Sequence, residues 1–317
     1  MIISSQVTRQ LPDCSLIDYL SSHFTYLSRS QWLQRLTENR FVVNGQIQSD
    51  PDTRLCRGDV ITYDMPEFQE PPADFNFKII YEDDYIIGVD KPGNLLVHRS
   101  GKSFRSNLIY QLRYCRDPVR YGDVDIINRL DRETSGVVLL AKEKKSLRMM
   151  NDAFALRAIQ KEYIAVVAGT PKEQAWTIKL PIGKDSLSAI KYKYRVDHEH
   201  GKDAETFVET IQNLQSGYAV VHVKPVTGRT HQIRVHLASA GLPIVGDKLY
   251  GMTEADFLSW RDDTVNFKGK LLFDRQALHC SSIRFIHPMT KKEVCIEAPM
   301  PQDMLELKEK LREMSRQ

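Results

Sequence analysis

Asn128-Arg129-Leu130-Asp131-Arg132-Glu133-Thr134-Ser135-Gly136-Val137-Val138-Leu139-Leu140-Ala141 is the stretch on which the fold turns. Its second half, the unbroken apolar run Val137 to Ala141, predicts an interior strand of a sheet. Its first half is a polar turn that sets one carboxylate, Asp131, between the guanidinium groups of Arg129 and Arg132. Asp131 then sits just off the sheet's edge, on a loop that reaches solvent while a rigid element holds it. A carboxylate placed this way is either a structural ion pair or a working group.

Working outward from that strand, further strands are predicted at Lys78 to Tyr81, Ile86 to Asp90, Glu162 to Ala168, Tyr218 to Val223 and Ser282 to Ile286. Helices are predicted at about Asn107 to Arg113, Lys145 to Ala158 and Thr230 to Ala240. Strands in the majority, with no steady β-α alternation, argue for an α+β class with a mixed sheet. Met252 to Lys270 reads as a polar excursion between strands. From Asp303 to Met314, the spacing of Met304, Leu307, Leu311 and Met314 makes one helical face that docks on the domain. We see no internal repeat.

Upstream, residues 1–65 read as a small separate unit. Leu16, Ile17, Tyr19 and Leu20 give a short amphipathic helix, and Ser28 caps a second helix with Trp32, Leu33 and Leu36. Asn44-Gly45 marks a hairpin turn, and Arg57-Gly58-Asp59 leads into a closing strand, Val60 to Tyr63. This order resembles the S4 RNA-binding domain, above all at Leu27-Ser28-Arg29-Ser30, Val43-Asn44-Gly45 and Gly58-Asp59-Val60-Ile61. The unit has 6 arginines, no lysine and 7 acidic residues, so it is not basic in bulk. An RNA role therefore needs its arginines gathered on one face, and Arg29, Arg35 and Arg40 are the candidates; solvated charge on a small fold is the alternative. Residues 66–76, with Pro66, Pro71 and Pro72, read as a stiff linker, followed by a catalytic domain over 77–300 and a C-terminal helix over 301–317.

The whole chain of 317 residues is 42% hydrophobic and 27% charged, ordinary for a soluble protein that buries a core. A formal net charge of +3 permits nucleic acid without demanding it. The 5 cysteines are scattered, with neither a CxxC pair nor a Cys/His ligand spacing, so no zinc site or disulfide framework is expected. The N-terminus does not read as a signal peptide, and no apolar run approaches the ~20 residues of a membrane span. We expect a cytoplasmic protein, by default a monomer.

Five segments after the linker are specific together: Asp90-Lys91-Pro92-Gly93-Asn94-Leu95-Leu96-Val97-His98; Asn128 to Gly136; Lys161-Glu162-Tyr163-Ile164-Ala165; Thr227-Gly228-Arg229-Thr230-His231-Gln232-Ile233-Arg234-Val235-His236 with Gly246 to Gly251; and Ala277-Leu278-His279. In these motifs the chain resembles the RluA family of pseudouridine synthases, from about Lys78 to Pro299, with the S4-like unit in front. The resemblance implies that fold, with a mostly antiparallel mixed sheet, and isomerisation of uridine to pseudouridine in ribosomal or transfer RNA without metal or organic cofactor. It also implies Asp131 as the catalytic aspartate and Arg229 as the arginine paired with it. Tyr163 matches the tyrosine that packs on the target base, and Arg129 matches the arginine that holds the RNA open. Asn128 departs from the family's usual histidine and carries no titrating proton.

The residues suit that chemistry. A carboxylate acts covalently only while ionised, a nearby guanidinium favours that form, and an extruded base is gripped by stacking on an aromatic ring. Lys161 is read as a phosphate contact or a strand cap, and Lys184 to Arg195 as a phosphate-contacting strand or a solvated hairpin. His231 and His236 are read as structural or RNA-facing, and His279 as packing. Two other functions compete with the isomerase: a non-catalytic RNA-binding or ribosome-assembly factor on the same fold, and a hydrolase or lyase using the same carboxylate.

Overall fold

The computed structural model describes residues 2–8, 14–24, 27–64, 69–214, 217–262 and 271–314. The chain separates into two units, Met1–Pro71 with Arg99–Ser106, and Pro72–His98 with Asn107–Gln317.

In the first unit, β1 (Ile2–Gln6) precedes helices α1 (Leu16–His23) and α2 (Arg29–Leu36), then strands β2 (Phe41–Val43), β3 (Gln46–Gln48) and β4 (Val60–Asp64). The strands form one antiparallel sheet in the order β1-β4-β2-β3. Ser15 caps α1, and Ser28 caps α2 in a reciprocal capping box with Gln31, devices worth about 1 kcal/mol each. Asn44 and Gly45 both have positive φ, 51° and 84°, as a two-residue hairpin of the I′ type requires. The core packs Trp32 edge-on against Phe41 and Tyr63, which stack at 4.2 Å. Phe104, from the later segment Arg99–Ser106, joins this core, and Glu70 accepts hydrogen bonds from the Arg105 and Ser106 amides. Sequence reading missed β1 because an edge strand of mostly short polar residues carries little periodic signal. Of the expected linker, residues 66–68 lie outside those described.

The second unit is built on a ten-stranded sheet. Its elements are β5 (Lys78–Glu82), β6 (Ile86–Lys91), a short helix α3 (Leu108–Tyr110) that continues as π-helix over Gln111–Arg116, α4 (Pro118–Tyr121), β7 (Asp125–Ile126), β8 (Ser135–Ala141) and α5 (Lys144–Ala155). Then come β9 (Gln160–Ala168), β10 (Ala175–Lys179), β11 (Ile182–Lys184), β12 (Tyr194–Val196), β13 (Glu205–Leu214) and β14 (Tyr218–Pro225). The unit closes with α6 (Gln232–Ser239), α7 (Glu254–Asp262), β15 (Leu278–Ile286), β16 (Glu293–Glu297) and a last helix, α8 (Gln302–Glu313). The sheet runs β10-β13-β14-β9-β15-β8-β6-β5, with β16 on β15 and β7 on β8. Every pairing is antiparallel except β15 with β8, so the sheet is mixed and mostly antiparallel, and the class is α+β.

All seven residues of β8 are buried, as its apolar run dictates for a strand covered on both faces. Its glycine has a steric purpose. Gly136 has φ 108°, and a Cβ there would stand 2.1 Å from the Cys280 carbonyl oxygen, so β8 and β15 approach in parallel only because the side chain is missing. On α8, Met304, Leu307 and Leu311 are buried in the main core, whereas Met314, expected on the same face, lies past the helix end and is half-exposed. The expected polar excursion contains α7, whose Phe257 is buried; residues 263–270 of it lie outside those described.

Candidate active site

The loop before β8 is fixed residue by residue. Ile127 donates its amide to the Leu139 carbonyl, extending the β7–β8 ladder. Asn128 continues the ladder with its side chain, whose Oδ1 accepts from the Leu139 amide at 2.7 Å. An amide with both donor and acceptor suits that place, so the irregular residue of the motif is a strand staple. Leu130 is buried as a plug, and the Thr134 amide closes a turn onto the Asp131 carbonyl at 3.2 Å. Arg132 is engaged elsewhere than its neighbour Asp131: its Nε donates to Asn94 Oδ1 at 2.9 Å and its Nη2 to the Pro72 carbonyl at 2.8 Å. Its own carbonyl accepts from the Leu95 amide and from Lys91 Nζ, 3.1 and 3.2 Å away.

Lys91 is fully buried and also donates to the carbonyls of Pro92 and Leu95. Burial pushes its ammonium down to about 7. Three carbonyl acceptors around Nζ match the three donors of the charged form, which ties the Lys91-Pro92-Gly93 turn under the aspartate loop. Glu133 pairs with Lys248 at 2.8 Å, and its carbonyl accepts from Arg275 Nη1 at 3.0 Å. Arg275 in turn is held by Asp303 of α8 at 2.6 Å. The Gln276 amide donates to the Thr134 hydroxyl.

Asp131 emerges from this scaffold with its side chain about a third exposed, and Arg234 Nη1 donates to its Oδ2 at 2.8 Å. The remaining edge of Arg234 grips Asp247 in a bidentate pair, Nε to Oδ2 at 2.7 Å and Nη2 to Oδ1 at 2.8 Å. Asp247 is wholly buried and also accepts from the Leu249 and Tyr250 amides. Arg234 lies over the Tyr250 ring, its guanidinium carbon 5.0 Å from the centroid. Burial works to raise the Asp131 carboxyl, but the Arg234 charge, His231 and hydrogen bonds from Arg234 and Gln276 outweigh it and hold the group below the usual carboxylate range. Asp131 is therefore ionised at neutral pH.

This corrects the expected pairing of Asp131 with Arg229. Arg229 precedes the first turn of α6, where its amide donates to Gln232 Oε1 and its Nε donates to the Asp203 carbonyl at 2.9 Å. Gln232 holds that turn through Thr227 and Thr206, so the side chain of Arg229 is aimed elsewhere. His231, at the N-cap of α6, and Arg234, three residues on within its first turn, both reach Asp131. That spacing was the available signal. Asp247, also missed, was readable as a turn-capping residue in Gly246-Asp247.

Tyr163 lies on β9 and is nearly buried, at 8% exposure. Burial, its hydrogen bond with the Cys280 thiol and the Asp131 charge push its phenol well above the ordinary value, so it stays neutral. The same burial pushes Cys280 up to about 12. Lys161, two residues earlier on the strand, is lowered by burial; it lies 5.6 Å from the Phe154 ring centroid and close to Gly228. Arg129 is exposed enough to turn and rests with Nη1 3.4 Å from His98 Nε2.

In the first unit, Arg35 and Arg40 meet on Glu38, at 3.1 and 3.4 Å, while Arg29 pairs with Asp18 at 2.5 Å. His236 is buried between Thr206 and the Leu180 carbonyl, and His279 between Ser135 and the Ala298 carbonyl; both serve the fold. Lys184 to Arg195 spans the turn joining β11 to β12, a hairpin. His231 differs from the other two, with Nε2 3.8 Å from Asp131 Oδ2.

Comparisons with known proteins place the chain in a family. Residues 84–239 match the family model for RNA pseudouridylate synthase. The chain is 30% identical to ribosomal large subunit pseudouridine synthase D of Blochmanniella floridana over 308 residues, 92% of each protein. It is 37% identical to ribosomal large subunit pseudouridine synthase C of Escherichia coli (strain K12) over 235 residues, 74% of this chain and 70% of that one. Among solved structures, human RNA pseudouridylate synthase domain containing 1 superposes with a TM-score of 0.55 at 26% identity, covering 77% of this chain and 98% of that one. With the parallel β8–β15 junction carrying an ionised aspartate between a buried arginine and a strand tyrosine, the chain belongs to the RluA family of pseudouridine synthases, isomerases that convert uridine in RNA to pseudouridine.

Proposed function

We propose that Asp131 is the catalytic carboxylate and that the substrate is ribosomal RNA, with transfer RNA the alternative. The observation that carries this is the pair of Arg234 and Asp131 at 2.8 Å on a loop anchored from every side. It leaves an ionised, partly open carboxylate on a rigid support, as covalent or proton-transfer work on a glycosidic bond needs. In the isomerisation the N1–C1′ bond of uridine breaks, the uracil turns, and C5 bonds to C1′ as C5 loses its proton and N1 gains one. Tyr163 supplies a neutral aromatic face for the extruded base, stacking worth ~1–3 kcal/mol. Arg129, resting on His98, swings to the place the base vacates. Lys161 meets a backbone phosphate, and Arg29, Arg35 and Arg40 of the S4-like unit contact RNA at the expense of their present acidic partners.

The ribosomal target follows the names of the relatives, which act on the large subunit. The reading includes no cofactor or metal, a cytoplasmic location and a monomer. Among the described residues no helix is long and apolar enough to cross a membrane. A non-catalytic RNA-binding role gains nothing from Asn128, whose amide is engaged with β8.

Asp131→Asn tests the reading directly. Pseudouridine in ribosomal RNA, detected by its mass shift after cyanoethylation, should be absent with the variant, while RNA affinity stays near that of the parent protein. Undiminished pseudouridine formation by Asp131→Asn sinks the assignment.

A further inference from the structure

Arg234 is not alone beside the Asp131 carboxylate. His231 Nε2 stands 3.8 Å from Oδ2, the same oxygen that accepts from Arg234. The surroundings fix how this imidazole is presented. The Tyr250 hydroxyl accepts from the Tyr194 amide at 3.1 Å and lies 2.9 Å from His231 Nδ1. Among the described residues Nδ1 is the one acceptor within reach of that hydroxyl's proton, so the hydroxyl donates to Nδ1. The single proton of the neutral ring is then on Nε2, facing Asp131.

Two further observations point the same way. The ring is boxed edge-on between Tyr194 and Tyr250, each with its centroid 5.7 Å away. The His231 backbone has φ 56° at the start of α6, a left-handed conformation that costs a non-glycine residue roughly 1–2 kcal/mol. Strain of this kind persists where the surroundings over-determine it, commonly at working sites. The charged or titratable groups facing the ring are Arg234, Asp131, Asp247, Tyr194 and Tyr250. Burial and the Arg234 charge outweigh the two carboxylates and push His231 down to about 4, so the ring is neutral.

We propose that His231 is a positioning residue for the reaction, a neutral donor of fixed tautomer whose Nε2–H closes on Oδ2 of Asp131 when RNA fills the site. Arg234 and His231 together then fix that oxygen and present the other to the uridine. The inference rests on Asp131 being the reacting carboxylate. A distance of 3.8 Å is longer than a hydrogen bond, and contacts of this kind tighten in the substrate complex. A neutral donor suits the task better than a second cation, because it orients the carboxylate while lowering its basicity less than a full charge would.

The test uses the full chain under single-turnover conditions on ribosomal RNA that lacks the modification, with Asp131→Asn, His231→Asn, His231→Gln and Tyr250→Phe. A glutamine amide reaches the place of Nε2, whereas the shorter asparagine does not. His231→Asn should slow the chemical step on the order of 10²-fold, with RNA affinity unchanged and the acid limb of the rate moved to higher pH. His231→Gln should recover most of that loss. Tyr250→Phe should slow the parent protein but not the His231→Gln background.

Parent-like rates for His231→Asn overturn the proposal. So does a loss in His231→Gln equal to that in a folded, RNA-binding His231→Asn. If His231→Asn does not fold, equal slowing by Tyr250→Phe in both backgrounds overturns it. An active Asp131→Asn would refute the aspartate reading itself, whereas an inactive one beside an undiminished His231→Asn refutes only the role of His231.

Discussion

Arg234 serves two carboxylates in different situations, one wholly buried at Asp247 and one about a third exposed at Asp131. Its fork holds both at once, which a lysine ammonium cannot do. Arg234→Lys should cost about 3 kcal/mol in urea unfolding, because Asp247 is left buried and poorly paired. The same variant should move the acid limb of activity upward, since the charge that favours ionised Asp131 is weakened. The sign follows from linkage. With its folded value below the unfolded one, Asp131 contributes stability that is complete above the ordinary carboxylate range and is lost as pH falls through the folded value. Activity of the parent protein should therefore stay flat through neutral pH and fall only in acid. Arg229→Ala should leave that acid limb where it is, and a shift there would restore Arg229 to the pair. The sequence showed where Asp131, just before β8, and Tyr163, on β9, sit in the fold, because the strand pattern marks those positions. The resemblance pointed to Arg229 and the structure has Arg234 instead, because which arginine meets Asp131 depends on where α6 begins, a detail fixed by the Gln232 side chain and its tertiary partners.

At the scale of elements, the junction of β8 with β15 is the point of least tolerance. Gly136→Ala should destabilise by about 2–4 kcal/mol in urea, since the new Cβ meets the Cys280 carbonyl and the backbone keeps a positive φ. Gly45→Ala is the control: it has φ 84° with nothing within 4 Å, so only the conformational cost of about 1 kcal/mol remains. Equal effects of the two would show that the close approach is not what β8 requires. The long apolar strands and the capped helices were legible because their signals are local. β13 was missed although Val208 and Leu214 are buried, since Thr206 and Thr210 share the buried face and dilute its apolar signal. β10, β11, β12 and β16 are short, and short strands take their definition from partners far along the chain.

Across the whole molecule, the aspartate loop draws its anchors from remote parts of the sequence. Arg132 reaches back 60 residues to Pro72, Asp131 is met by Arg234 from 103 residues ahead, and Glu133 by Arg275 from 142 ahead. Contacts of such separation form late, because loop closure must come before they can reward it. In refolding from urea, recovery of pseudouridine formation should lag recovery of far-UV circular dichroism; coincident recovery would show that the loop is shaped by its near neighbours alone. The tether of Arg275 to Asp303 extends this to synthesis. A chain growing from its N-terminus carries Asp131 long before Arg234, Arg275 and Asp303 exist, so the loop takes its final shape only after those residues have been made.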